Sequence, residues 1–203
     1  PYDVRGTVVV NQLDVEPLAL AAGALDETIA GTVSLSATFQ GQAATPESLS
    51  AFVNLQEVAV TASGIPIRLE RPAHITASAD DFSVDDLYLH VGSGLLTASG
   101  RLRDPVQAPL SVWYGGPVGD LVAMAGTFGI GSGVEASGDV NAWWESTCGL
   151  DNAYATATIR NGRVAWPEVP AIEGLEVDAA FDGATLVVER LQATWQGGGI
   201  EGT

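Results

Sequence analysis

Strict alternation of apolar and polar residues constrains this chain more than any other feature. Val33-Ser-Leu35-Ser-Ala37-Thr-Phe39-Gln keeps a period of two over eight residues, and the rhythm returns in 65–69, 87–91, 153–159, 175–179 and 191–195. Period two sends successive side chains to opposite sides of an extended strand, so one face is apolar and the other wet. Gly, Asp and Pro interrupt the runs every eight to fourteen residues, at Gly31, Gly41, Gly64, Asp80-Asp81, Gly92, Gly100, Asn161-Gly162 and Asp182-Gly183. These are turn signals, and Asn-Gly and Asp-Gly predict hairpins that need positive φ. Helix is scarce. Leu18, Ala21, Ala22 and Leu25 share a helical face behind Pro17, which places one short helix within 13–30, and 121–125 is a second candidate. The chain is expected to be all-β with minimal helix.

Composition narrows the class. The 203 residues suffice for one large domain or two small ones, and 46% apolar residues exclude a disordered tail. One Cys rules out an intrachain disulfide, and with only two His a Cys/His zinc site is not expected. All eight bases are Arg against 25 acids, a net charge of −17. Such a surface repels phosphate backbones and anionic headgroups, so nucleic acid is not an expected partner. The longest charge-free stretches, 105–119 and 121–134, are broken by Gly and are too short for a spanning helix of about 20 residues. The chain opens at Pro1 without a basic-then-apolar leader and closes in what reads as mid-strand, so it is expected to be cut from something longer.

Self-comparison finds a repeat. Phe82-x-Val84-Asp85-Asp86-Leu87-x-Leu89-x-Val91 lies 104 positions before Leu186-x-Val188-Glu189-Arg190-Leu191-x-Ala193-x-Trp195. Both segments break parity at two consecutive charged residues, as a β-bulge would. The same offset pairs Ile65-Pro66 with Val169-Pro170 and Gly94 with Gly198, and upstream it falls to 101, where Val33 meets Val134 and Phe39 meets Val140. Two units are expected, 1–100 and 101–203.

No chemistry-bearing constellation stands out. Cys148 lacks a nearby base in sequence, and His74 and His90 both lie in strand patterns. Asp80-Asp81 and Asp85-Asp86 read as solvated turn acids rather than cation ligands. Gly92-Ser-Gly94 and Gly129-Ile-Gly131-Ser-Gly133 lack the Lys and helix start of a phosphate loop. No catalytic residue, metal or cofactor is expected. Trp166 and Trp195 fall on the apolar parity, whereas Trp113 and the Trp143-Trp144 pair are expected near turns.

Many short strands with one apolar face raise the question of what covers that face. A sandwich or barrel would seal it, and a long sheet folded lengthwise into a trough would leave it open. At about 4.8 Å per strand, about 16 strands would make a trough roughly 75 Å long, and an acyl chain is the natural occupant.

The run from Val164 to Gly202 joins a Pro-containing strand, a Leu-x-Val-x-x-Leu strand, a Gly-rich turn and a strand ending in Gly. Ile65 to Gly100 follows the same course, and Leu13-Asp-Val-Glu-Pro-Leu18 with Gly31 and Gly41-x-x-x-x-Pro46 reads as a linker. This pattern resembles the TamB/AsmA-like superfamily. The resemblance implies an elongated antiparallel sheet folded lengthwise into a U-shaped, taco-like apolar groove. It further implies an internal segment of a periplasmic protein of a Gram-negative-type cell, anchored in the inner membrane. Such proteins carry phospholipid between the inner and outer membranes and contribute to outer-membrane biogenesis and protein secretion. The implied partners are phospholipid or another acyl lipid, and an outer-membrane barrel protein through regions outside this chain. The expected lining is Val33, Leu35, Phe39, Val53, Leu55, Phe82, Val84, Leu87, Leu89, Val91, Leu186, Val188, Leu191 and Trp195. Two alternatives are a chaperone-like scaffold that pairs with unfolded outer-membrane strands and a stalk or adhesin of stacked β-sandwiches.

Overall fold

The computed structural model describes residues 2–21, 29–42, 44–79, 81–102, 108–126, 133–146 and 153–202. Cys148, Asp80 and the run from Gly129 to Gly131 lie outside the described residues. The first elements are β1 (Asp3–Asp14), α1 (Glu16–Ala21), β2 (Ile29–Gln42), β3 (Thr45–Ala62), β4 (Ile65–Leu69) and β5 (Ala73–Ser78). Then come β6 (Phe82–Val91), β7 (Gly94–Arg101), β8 (Leu110–Pro117), α2 (Val118–Gly126) and β9 (Glu135–Ser146). The chain finishes with β10 (Ala153–Trp166), β11 (Val169–Phe181), β12 (Leu186–Trp195) and β13 (Gly198–Gly202).

All thirteen strands join one antiparallel sheet. Each pairs with its neighbours in sequence, except that β4 and β5 share one position between β3 and β6. Among the described residues the sheet is thus a meander of thirteen strands, and at about 4.8 Å per position it spans roughly 50 Å. The alternation becomes strand, and tight turns join several of the antiparallel neighbours. Ser63-Gly64 has φ of 47° and 82°, and Gln196-Gly197 has 49° and 78°, the paired positive angles of a hairpin turn. At the turn after β11, the Asp182 carboxylate accepts the backbone N–H groups of Ala184 and Thr185 at 3.3 and 2.9 Å.

The paired charges in β6 and β12 are bulges. The β6–β7 register slips between Val84 and Leu87, with Asp86 at φ 50°, and the β11–β12 register slips where Arg190 gives way to Val188. Asn161-Gly162 corrects the sequence reading: it is no hairpin but a bulge inside β10, with Asn161 at φ 52°. Asn-Gly supplies a left-handed residue, and a bulge uses that conformation as readily as a turn does. Gly31 and Gly41 lie within β2 and Gly100 within β7, so these three are not turns either.

Several bounds recur. β12 begins and ends 104 positions after β6, and β13 begins 104 after β7. The gap between β4 and β5, starting at Glu70, falls 104 before Gly174, where β11 slips against its neighbours. Leu35 faces Leu55 and Val140 faces Ile159, and Leu55 and Ile159 are 104 positions apart. Short helices follow two of the strands, α1 after β1 and α2 after β8.

Little of this sheet is deeply buried. One cluster joins Val84, Ala98 and Leu110, with Phe82, Val112 and Trp144 against it. A second joins Val91, Tyr114 and Val140, with Leu89, Leu96 and Ile159 against it and Val118, Leu121 and Met124 of α2 resting on it. The largest fully buried side chain among the described residues is Ser146. The surface is 11731 Å², whereas a compact protein of this mass would expose roughly 9,000 Å².

Candidate functional site

The ladder register decides which side chains share a face, because directly opposed residues point the same way. One row runs Ala37, Val53, Ile75, Val84 and Gly100 across β2, β3, β5, β6 and β7. A second runs Leu69, Leu89, Leu96, Tyr114, Ala142, Ala157, Ala179 and Val188 from β4 to β12. A third runs Leu87, Ala98, Val112, Trp144, Ala155, Phe181 and Leu186. No charged residue stands in any of these rows. The apolar parity of separate strands therefore merges into one continuous uncharged face.

All fourteen expected lining residues lie on that face. Val33 stands opposite Val58, Leu35 opposite Leu55, Phe39 opposite Ala51, and Phe82 opposite Ala77. Val91 faces Ile67, Leu191 faces Val177, and Trp195 faces Ile172. Exposure divides them: Val84 and Val91 are buried, whereas Leu186, Val188 and Trp195 on β12 are 67%, 38% and 44% exposed. The remaining nine are half-buried.

The centre of the face was not anticipated. Leu96, Val112, Tyr114, Val140, Trp144 and Ile159 occupy it, and β1 adds Val8 and Val10 opposite Ala37 and Leu35. The signal was present in the alternation of Leu110-Ser-Val112-Trp-Tyr114 and of Val140-Asn-Ala142-Trp-Trp144. The tryptophans correct the expectation most plainly. Trp113 lies inside β8 and Trp143-Trp144 inside β9, not at turns. Consecutive strand residues point oppositely, so Trp144 enters the apolar face while Trp143 faces outward, edge-to-face on Tyr154 at 5.7 Å. Outward indoles keep their N–H groups bonded, Trp143 to the Ser111 hydroxyl and Trp113 to the Asn141 side-chain oxygen, both at 2.8 Å.

Charge collects on the opposite face. Arg160 lies between Glu176 and Asp178, Arg163 reaches Glu173 at 3.0 Å, and Arg71 covers the Tyr88 ring at 4.2 Å. These side chains are exposed enough that each pair contributes only about 0–1 kcal/mol. They keep that face wet rather than hold the fold together.

Helix α2 covers part of the apolar face, packing chiefly on β9 and resting on the cluster of Val91, Tyr114 and Val140. Its Asp120 carboxylate accepts the Ser93 N–H at 3.3 Å, tying the helix to the β6–β7 turn. Burial, and then the Asp120 charge, raise the pKa of Tyr114 beneath it. The cluster around Val84, Ala98 and Leu110 includes no α2 residue.

Among the described residues no three His, Cys, Asp or Glu side chains come together as metal ligands would. His90 pairs with Glu70 at 3.2 Å, and His74 stands opposite Asp85. No described helix is long and apolar enough to cross a membrane. No family model, no curated protein and no solved structure matches this chain.

Proposed function

We propose that this chain is a segment of a bridge-like lipid carrier, and that its apolar face forms the wall of a trough along which acyl chains lie. The observation that carries this reading is the uncharged face running from β1 to β13, whose flanks leave Val8 47% and Leu186 67% exposed. Exposed apolar surface of that extent marks a binding surface. Each methylene taken from water contributes about 0.8 kcal/mol, so a chain is held without any one position trapping it. The reading involves no catalytic step.

In this reading the recurring bounds mark two copies of one unit, a strand and a short helix followed by a meander. The bulges, which sharpen local twist, give the sheet its lengthwise fold. The likeness to the TamB/AsmA-like superfamily, the periplasmic setting and the traffic of phospholipid between two membranes belong to the same proposal. The single meander into which all described strands join supports the open trough over a stalk of two-sheet sandwiches. The scaffold alternative would show as saturable binding of outer-membrane strand peptides.

The test is mass spectrometry of organic extracts from the purified chain, followed by titration of the delipidated chain with a fluorescent phospholipid. Co-purifying phospholipid and saturable uptake support the carrier reading. A chain that yields no lipid and takes up none overturns it.

A further inference from the structure

Helix α2 stands on the apolar face rather than beside it. Its one charged residue is Asp120, and Val118, Leu121 and Met124, spaced by three along the helix, rest together on the cluster of Val91, Tyr114 and Val140. At about 1.5 Å per residue its nine residues measure about 14 Å. It touches β9, β8 and β4, and β4 stands four ladder positions from β9. The helix therefore reaches across the strands, the direction a chain lying along the trough would take.

The sheet builds a seat for this helix, but a shallow one. Gly92, at φ 59°, leaves room for the Asp120 carboxylate where a side chain would stand, and the Ser93 N–H donates to that carboxylate. The Gly92 N–H in turn donates to the Pro66 carbonyl at 2.8 Å, which holds the β6–β7 turn against β4. All nine residues of α2 remain half-buried, and 3.3 Å is long for the bond from Ser93. A helix this short has little stability of its own and depends on its packing. The cluster of Val84, Ala98 and Leu110 forms on the same face without α2, so the face does not need a helix to assemble.

We propose that α2 is a displaceable cover of the trough. It occupies the stretch over Val91, Tyr114 and Val140 until an acyl chain takes its place, so helix and lipid exclude each other there. This inference rests on the carrier reading and adds a device to it. The empty trough keeps that stretch out of water, and loading exchanges one apolar contact for another. The observed affinity for lipid is then the intrinsic affinity reduced to the fraction of molecules whose α2 is off the face. Loosening the seat must tighten lipid binding accordingly. A helix that formed part of the lipid-binding wall would do the opposite, and cutting it back would weaken binding. The sign of the change separates the two.

The test uses the full chain and a fluorescent phosphatidylcholine. Asp120→Ala removes the carboxylate from its place over Gly92, and Leu121→Ser weakens the apolar contact. Each should raise phospholipid affinity several-fold. In the unmodified chain, amide exchange over 118–126 should quicken several-fold on saturation with the phospholipid. Met124 is the chain's only methionine, so a methyl-labelled sample gives one methionine NMR signal, which should narrow as α2 leaves the face. Unchanged or weaker binding in either variant would overturn the cover and leave the carrier reading standing. So would α2 amides and a Met124 signal that stay, at saturation, as they are without lipid. If neither the parent nor the variants take up phospholipid, the carrier reading falls and the cover falls with it.

Discussion

The ring of Phe39 lies across Gly6, its facing partner on the neighbouring strand, so closely that a Cβ on Gly6 would come within 2.1 Å of the ring. An aromatic side chain thereby fills the space a glycine leaves on the edge strand, joining β1 to the apolar face. Gly6→Val sets two effects against each other. Valine's preference for strand favours it by up to about 1 kcal/mol, and displacing the ring costs about 1–3 kcal/mol. The variant should therefore unfold at lower denaturant, with faster amide exchange in 3–14. Gly199→Ala, where a Cβ meets nothing within 4 Å, should leave the midpoint in place.

Exposure predicts which apolar positions report on lipid alone. Leu186 is 67% exposed, so Leu186→Asp should keep the circular dichroism spectrum and the unfolding midpoint while weakening phospholipid uptake several-fold. Leu89 packs against the cluster under α2, so Leu89→Asp buries a charge and should lower stability by several kcal/mol. Uptake that is unchanged in Leu186→Asp and in Val8→Asp together would show that lipid does not use this face.

Tyr114 should make the fold lose stability at high pH. Burial, reinforced by Asp120, holds its phenol protonated above the ordinary tyrosine range. Above the unfolded value the unfolded chain gives up this proton first. Stability is therefore full below that value and falls as pH rises through the folded one. Ultraviolet titration should show one tyrosine ionising late. Tyr114→Phe should remove that late step and flatten the alkaline loss of stability.

Asp182 should act in the acid range. Hydrogen bonds from the Thr185 and Ala184 N–H groups favour its ionised form and hold its pKa below the usual carboxylate value. The stabilisation is present above the unfolded pKa and is lost as pH falls through the folded one. Asp182→Asn keeps an acceptor in the turn and should abolish this contribution to the pH dependence. Asp182→Ala removes the acceptor as well and should also lower the neutral-pH midpoint. Carboxyl chemical shifts followed against pH check the direction for the parent chain.

Much of the architecture was legible from residue order, because period two is a local property and survives whatever a strand packs against. Val33, Leu35 and Phe39 shared a face before any partner strand was known. The doubled charges at Asp85-Asp86 and Glu189-Arg190 announced bulges, since only an inserted residue keeps both flanking runs on one side. The Asn161-Gly162 signal was ambiguous for a physical reason. It specifies a left-handed backbone, and whether the chain then reverses or continues depends on neighbouring strands. The Trp143-Trp144 pair misled similarly: two large aromatics in succession break the apolar rhythm, although outward indoles find Ser111 and Asn141 side chains to bond.

By itself, then, the sequence determined the strand class, the two-sidedness of each strand and the places where parity breaks. Only the tertiary structure decided the register that joins these faces, the number of strands, and the seating of α2 over Val91, Tyr114 and Val140. The division follows from range. Alternation, turn chemistry and bulges act over a few adjacent residues, whereas register depends on partners such as Leu35 and Leu55 or Leu96 and Tyr114, separated by loops whose lengths leave the pairing undetermined.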